Sequence, residues 1–319
     1  MSLRVLITGG AGFIGSSVCD RLLARGDEVV VLDNLDDYYD PQIKRKNLES
    51  ARAQDGFTFI EGDIRDAALL ENLAKTHPLD AIIHLAARAG VRPSIEQPTL
   101  YTDVNLVGTS LLLELAQRYS IDNFVFASSS SVYGERTETP FRETDLVDHP
   151  VSPYAATKKA GELLCHSFHH LFGTNIACLR FFTVYGPRQR PEMAIHRFTR
   201  MIDQGEAIPV FGDGSSRRDY TYIDDIVSGV VASLDQNEGY QIYNLGNHRM
   251  VTLAKLVERI GEAVGKAPKI DRQPNQPGDV SVTCAEISHA ASKLGYDPKT
   301  PIEEGLRAFV DWYRGSGGT

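Results

Sequence analysis

This sequence predicts an α/β fold, a doubly wound parallel sheet followed by a smaller C-terminal α/β part. Two observations carry that reading. The Val- and Ile-rich runs "RVLITG", "DEVVVLD", "FTFIEGD", "LDAIIHLAA", "NFVFASSS" and "NIACLRFF" recur with helical patterns between them. They are continuous rather than alternating, as strands buried on both faces of a parallel sheet are. The second observation is the glycine-rich turn in "VLITGGAGFIG", set directly after the first run and opening the first helical pattern.

Taken in order, the elements divide near Phe182. Before it, strands and helices alternate; beyond it, "YGPRQRPEM", "FGDGSSRRDY" and "RQPNQPGDV" are polar, Pro- and Gly-rich loops between shorter helices. Loops of that kind, held by a scaffold, are where ligand contacts concentrate. With 319 residues and 42% hydrophobic content, a substantial core is expected. The formal charge of -9 is mixed along the chain, and no Lys/Arg block offers itself to nucleic acid. The longest apolar runs fall far short of the roughly 20 residues that span a bilayer. Met1 to Arg4 lead straight into a strand, so a cytoplasmic protein with no membrane partner is expected. Cysteines 19, 165, 178 and 284 form no metal-like spacing, and His166, His169 and His170 have no acidic partner at ligand spacing, so no metal is expected.

Gly9, Gly12 and Gly15 stand at the junction of the first strand and first helix, and Gly10, Gly12 and Gly15 also satisfy G-x-G-x-x-G. Glycines there permit a tight turn, close approach of backbone to a pyrophosphate, and close packing of helix on strand. Asp33 closes the second strand 18 residues after Gly15. A carboxylate there accepts from ribose hydroxyls and repels a 2'-phosphate, which selects NAD over NADP in a Rossmann-type site. Asp63 in "EGDI" is placed for the adenine edge; the competing reading of both acids is as turn formers at strand ends.

"SPYAATKKAGELL" sets Tyr154 and Lys158 four apart on a helix, hence on one face about 6 Å apart. An ammonium beside a phenol favours the phenolate, bringing the phenol toward the range of a general base. Some 25 residues earlier comes the run Ser128 to Ser131.

With these residues the chain resembles the extended short-chain dehydrogenase/reductase family, and within it the NAD-dependent nucleotide-sugar epimerases, over almost its full length. The resemblance rests on "TGGAGFIG", the Ser four residues before the Tyr of "VYG", "YxxxK", "VNLVGT", "FGDG" with "RRDYTYIDD", and "PGD". It implies Ser129, Tyr154 and Lys158 as catalytic. It implies Gly9, Gly12, Phe13, Ile14, Gly15, Asp33, Asn34, Asp63, Ile64, Leu85, Ala86, Ala87 and Asn105, with Tyr154 and Lys158, as contacts of NAD. Val210, Phe211, Arg218 and Asp279 are implied on the UDP side. Residues 1–182 and 222–246 are then expected to form the NAD-binding domain, and 183–221 and 247–319 the nucleotide-sugar-binding domain. A homodimer through the helices of "LLLELAQ" and "AGELLCHSF" is implied as well. The implied chemistry is oxidation at carbon 4 of a UDP-sugar, turnover of the 4-keto sugar, and return of the hydride to its other face.

Related dehydratases carry an Asp-Glu pair directly after the position of Ser129, and related decarboxylases a Glu two places after it; here Ser130 and Ser131 stand there. No acid is available for an elimination, which leaves epimerisation. "RAGVRPSIEQP", "LDDYYDPQIKRKNL" and "FFTVYGPRQRPEMAIHRF" resemble the UDP-glucuronate 4-epimerase branch, with Thr183 and Gln276 as branch markers. Oxidising a glucuronate at carbon 4 gives a β-keto acid, whose carboxylate must be kept out of line with the carbonyl π system. Ser129, Ser130, Ser131 and Thr183 are expected to hold it, with Arg92, Arg188 or Arg190 adding charge. Against this stand two bland readings: Ser130 and Ser131 as partners of strand-end backbone, and the arginines as solvent- or phosphate-facing. A 4-epimerase of UDP-glucose or its N-acetyl form, and a catalytically silent NAD-binding regulatory protein, are the alternatives. Ser128 has no assigned role.

Overall fold

The computed structural model describes residues 2–274 and 281–315. Among the described residues twelve strands are formed: β1 (Arg4–Thr8), β2 (Glu28–Asp33), β3 (Phe57–Glu61), β4 (Ala81–His84), β5 (Asn123–Ser129), β6 (Asn175–Phe181), β7 (Thr183–Tyr185), β8 (Ala207–Phe211), β9 (Arg217–Tyr222), β10 (Tyr240–Leu245), β11 (Met250–Thr252) and β12 (Lys269–Gln273). Seven make one parallel sheet in the order β10-β6-β5-β4-β1-β2-β3.

Successive side chains enter different cores. Leu6, Val30, Leu32 and Ile82 pack on one face, and Val5, Ile7, Val29, Val31 and Ile83 on the other. Both faces are thus covered by helices, the condition under which continuous apolar strands persist. The chain winds outward through β2 and β3, then returns to β4 beside β1 and winds the other way. That reversal leaves a crevice at the carboxyl ends of β1 and β4, where ligands of open α/β sheets bind.

The helix Phe13–Arg25 ends at Gly26, whose φ of 91° closes it in the left-handed conformation. The 20-residue helix Pro153–Phe172 begins at Ser152, whose hydroxyl accepts from Ala155 N–H at 3.1 Å, with Pro153 at the first helical position. This helix lies against β5 through Gly161: a Cβ there would meet Phe126 Cζ at 2.4 Å.

Past β6 the chain builds two small sheets, β11-β9-β7 and β12-β8, while the helix Ile223–Gln236 and β10 rejoin the large sheet. Asp219 on β9 is fully buried. Its carboxylate accepts from the N–H groups of Asn247 (2.7 Å), His248 (3.0 Å) and Ala285 (3.0 Å) and from the Thr221 hydroxyl (3.1 Å). Among the described residues no helix is long and apolar enough to cross a membrane, and no His/Cys/Asp/Glu cluster could hold a metal. All four cysteines are free and buried.

Because Phe126 is enclosed by the core, Gly161→Ala is expected to destabilise the protein by about 1–3 kcal/mol through overpacking between helix and sheet. Urea unfolding followed by circular dichroism measures it; an unchanged midpoint would show that the helix can shift freely on β5.

Candidate active site

A cleft with a cavity of about 410 Å3 opens at the crevice, within the range of small-ligand sites. At one end lies the glycine turn. Gly9 has φ of 70°, and a Cβ on Gly15 would stand 2.3 Å from Gly9 O, so only glycines let the first helix start this close to β1. Gly9, Gly12, Phe13, Ile14 and Gly15 line the cleft. Gly10 does not; a Cβ there would strike Val31, so that glycine serves packing.

Asp33 reaches the cleft from the end of β2, accepting from Ala11 N–H (3.1 Å) and Leu35 N–H (2.9 Å). Burial raises its pKa, against the pull of Lys44, 4.0 Å away, and of the two N–H groups. A carboxylate offers about four acceptor positions, so two bonds leave room for ribose hydroxyls. Asp63 also lines the cleft, but Arg65 holds it through two guanidinium bonds (2.9 and 2.8 Å), with Asn34 bonding it at 3.1 Å. Arg65 is the chief reason its carboxyl is lowered to about 2. Asn34, Ile64, Leu85, Ala86 and Ala87 complete this end. The glycine cradle and the spare acceptor capacity of Asp33 fit NAD, which these residues would hold.

Asn105 departs from its expected role. It is buried behind the cleft wall, accepting from Arg88 N–H (2.8 Å) and donating to Arg88 O (3.0 Å) and Thr157 Oγ1 (3.0 Å). Its amide is spent on joining the loop after β4 to the Tyr154 helix. It sits in a π-helical turn, Asp103–Val107, a local distortion common at functional sites.

At the other end, Ser129, Ser130, Ser131, Tyr154, Lys158, Thr183 and Arg190 share the cleft. Ser129 ends β5 and caps the next turn, accepting from Ser131 N–H at 3.1 Å, with its own hydroxyl 3.1 Å from that of Ser131. Tyr154 is half-buried; desolvation raises its pKa, while a hydrogen bond with Ser129 and the charge of Arg190 pull it down. The expected help from Lys158 is not what holds the phenol here. The ammonium donates to Ala127 O at 2.7 Å, lies 6.0 Å from the Tyr154 ring, and is itself lowered to about 8 by burial.

Of the arginines, the structure brings only Arg190 to the cleft among the three expected near the sugar carboxylate. Arg188 takes φ of 68° and pairs with Asp20 (2.8 Å), with Ser50 Oγ at 3.3 Å, which directs it to the outside of the first helix. Arg92 is exposed on the short helix Val91–Glu96. Val210 and Phe211 lie on β8 and Arg218 on β9, none of them lining the cleft; Asp279 and Gln276 lie outside the described residues.

Residues that sequence reasoning missed are Lys44, Tyr38 and Arg88. Tyr38 lies between Arg88 (guanidinium 5.9 Å from its ring centre) and Arg190 (5.7 Å), and Arg88 pairs with Asp36 at 2.7 Å. The tyrosine pair in "DDYYDPQIK" was the available signal, an aromatic cluster just after a nucleotide-binding strand end.

The sheet, the cleft and its glycine entrance are those of an NAD-dependent enzyme of the extended short-chain dehydrogenase/reductase class. The family model described as GDP-mannose 4,6 dehydratase matches residues 6–309, and the chain belongs to that family. It is 44% identical over 308 residues to the UDP-glucuronate 4-epimerase of Thermodesulfobacterium geofontis, covering 96% of this chain and 95% of that protein. Its structure is similar to that of UDP-glucuronic acid 4-epimerase from Bacillus cereus in complex with UDP-glucuronic acid and NAD (TM-score 0.92, 36% identity, 98% of this chain and 100% of that one). It is also similar to UDP-glucose 4-epimerase from Thermotoga maritima with UDP-glucose (TM-score 0.91, 33% identity, 98% and 99%).

Burial of the Lys158 ammonium has a measurable sign. Below about 8 it is charged both folded and unfolded, so the whole desolvation penalty opposes folding. Between that value and the ordinary lysine pKa of about 10.4 the folded protein sheds its proton first, and stability rises with pH. Lys158→Met is therefore expected to stabilise the NAD-free protein by about 3 kcal/mol at pH 7, the gap closing toward pH 10. Urea melts at both pH values measure it, and a variant less stable than wild type at pH 7 would contradict the sign.

Proposed function

We propose that this chain is an NAD-dependent UDP-sugar 4-epimerase that interconverts UDP-glucuronate and UDP-galacturonate. One observation carries the reading: Tyr154 and Ser129 share a cleft wall with three further hydroxyls, Ser130, Ser131 and Thr183, and one guanidinium, Arg190, with no carboxylate at 130 or 131. The names of relatives that match nearly end to end support it.

In this reading Tyr154 takes the proton of the sugar's 4-hydroxyl, and Ser129 hydrogen-bonds the same oxygen as it becomes a carbonyl. The residues of the glycine cradle and Asp33 would hold NAD, which would supply a reversible hydride acceptor for carbon 4 and a positive charge that favours the phenolate. Lys158 keeps a buried ammonium at the junction of base and cofactor and has two N–H donors beyond the one given to Ala127 O. The Ser130, Ser131 and Thr183 hydroxyls and the Arg190 guanidinium bind the carboxylate of the β-keto acid and hold it out of line with the 4-carbonyl. Carbon dioxide is then retained while the sugar turns over.

The same reading makes the protein a cytoplasmic homodimer. Four unpaired cysteines suit a reducing compartment. Leu163, Leu171 and Phe172, each more than half exposed on the Tyr154 helix, suit pairing with a second copy.

Purified protein incubated with UDP-glucuronate, and separately with UDP-glucose, without added NAD, decides the matter by proton NMR. The galacto product from the glucuronate, without a pentose, is expected; a pentose would indicate decarboxylation, turnover of UDP-glucose alone a neutral-sugar epimerase, and no turnover even after NAD is added a silent NAD-binding protein. Ser131→Glu should lose affinity for UDP-glucuronate by at least about 10-fold more than for UDP-glucose, because it sets a like charge beside the carboxylate. Equal losses on the two sugars would remove the carboxylate site from the proposal.

A further inference from the structure

Ser128, which the reaction does not use, leads to a buried network behind the cleft. Its hydroxyl donates to Glu162 Oε1 at 2.6 Å. Glu162 is wholly buried and receives a two-pronged bond from Arg180, Nε to Oε1 at 2.8 Å and Nη2 to Oε2 at 2.9 Å, with Arg180 only 1% exposed. Lys159 Nζ approaches the second carboxylate oxygen at 3.4 Å. Arg180 Nη1 donates to Tyr133 OH at 3.0 Å, and that hydroxyl donates to Asn244 Oδ1 at 2.7 Å. Ser128, Arg180 and Asn244 are register partners across β5, β6 and β10, so the network crosses three strands in one row.

The placement relative to the reacting groups is what matters. Ser128 precedes the hydroxyl-bearing segment 129–131 and Tyr133 follows it, so both ends of that segment are bonded to one ion pair. Glu162 is on the helix of Tyr154 and Lys158, eight and four residues further on, which is about two turns, or roughly 12 Å, from Tyr154. The pair therefore links the strand that carries Ser129 to the helix that carries Tyr154. Stability alone does not account for it: a buried ion pair replaced by apolar groups of similar volume is often neutral or more stable, because both charges were desolvated. What an apolar contact lacks is direction, since it lets a helix slide along a sheet, whereas a forked guanidinium–carboxylate bond fixes both distance and angle.

We propose that Glu162 and Arg180, joined to Ser128 and Tyr133, are positioning residues that set the depth and register of the Tyr154 helix against the Ser129 strand, and so the approach of base and hydroxyl to the sugar's 4-oxygen. This rests on the assignment of Tyr154 and Ser129 in the reading above. Glu162, Arg180 and Tyr133 do not line the cleft, and Ser128, which does, spends its hydroxyl proton on Glu162, so their removal acts on the chemical step rather than on binding.

The NAD-loaded protein tests this with UDP-glucuronate. Glu162→Leu/Arg180→Leu removes both charges together and is expected to melt cooperatively, to carry NAD as wild type does, and to lose about 100-fold in kcat with KM changed less than about 3-fold. Ser128→Ala leaves the ion pair in place and should lose about 10-fold in kcat on the same pattern. A folded double variant with wild-type kcat overturns the proposal, as does a loss confined to KM. If the double variant does not fold, Ser128→Ala decides alone, and wild-type kcat there overturns it. Tyr154→Phe is run beside them: undiminished turnover would remove the base assignment itself, an outcome separate from any result on the network.

Discussion

Where β1 and β4 lie side by side, one strand hands the chain toward β2 and the other toward β5, and no connection crosses the ends of both. A sheet wound in a single direction would have each strand end covered by the crossover to its neighbour. Winding both ways is thus what opens a cleft into an otherwise enclosed core, and every group of the site is an answer to how that opening is lined. The glycine turn keeps the first helix clear of it, Asp33 closes its β2 side, and the end of β5 supplies hydroxyls. The C-terminal part contributes from above through Thr183 and Arg190.

The electrostatics follow from the same enclosure. Burial is the largest influence on several groups of the cleft, pushing Tyr154 and Asp33 up and Lys158 down, while the Asp63–Arg65 pair is governed by its own hydrogen bonds. His84, beneath the floor between Thr8 (2.8 Å) and Thr109 (2.9 Å), is lowered to about 3 and stays neutral. Desolvation of this kind makes charge costlier on Asp33 and Lys158 than it is in water. The cofactor and the sugar nucleotide thus bring the charges that the protein's hydroxyls, N–H groups and cleft-lining guanidinium groups are arranged to meet.

What the sequence showed and what it hid divide along a physical line. Features set by neighbours in the chain were legible: the strands by their apolar runs, the glycine turn by its spacing, the Tyr154–Lys158 pair by helical periodicity. Features set by a backbone dihedral or a distant partner were not. Arg188 and Arg190 are separated by one residue, and nothing in "PRQRP" says that a positive φ turns the first toward Asp20 and leaves the second in the cleft. Asn105 lay in a matching motif, yet its amide is spent on Arg88 and Thr157, 17 and 52 residues away. Ser128 could not be separated from its neighbours in a run of identical residues until Glu162 was seen beside it.

Asp219 constrains this chain in a way that ordinary residue-by-residue reasoning overlooks. Three of the four groups it gathers are main-chain N–H groups, from residues 247, 248 and 285. A carboxylate that reads backbone is indifferent to which side chain follows, provided the amide arrives at the right place. The bond itself asks only for an N–H, although Asn247 and Ala285 are also buried and His248 holds φ of 53°, whereas an insertion or deletion would deliver the wrong amide to a buried charge. Asp219 therefore fixes the spacing of the chain around it, whatever else fixes its letters, and length variation must be taken up in segments that the acid does not count.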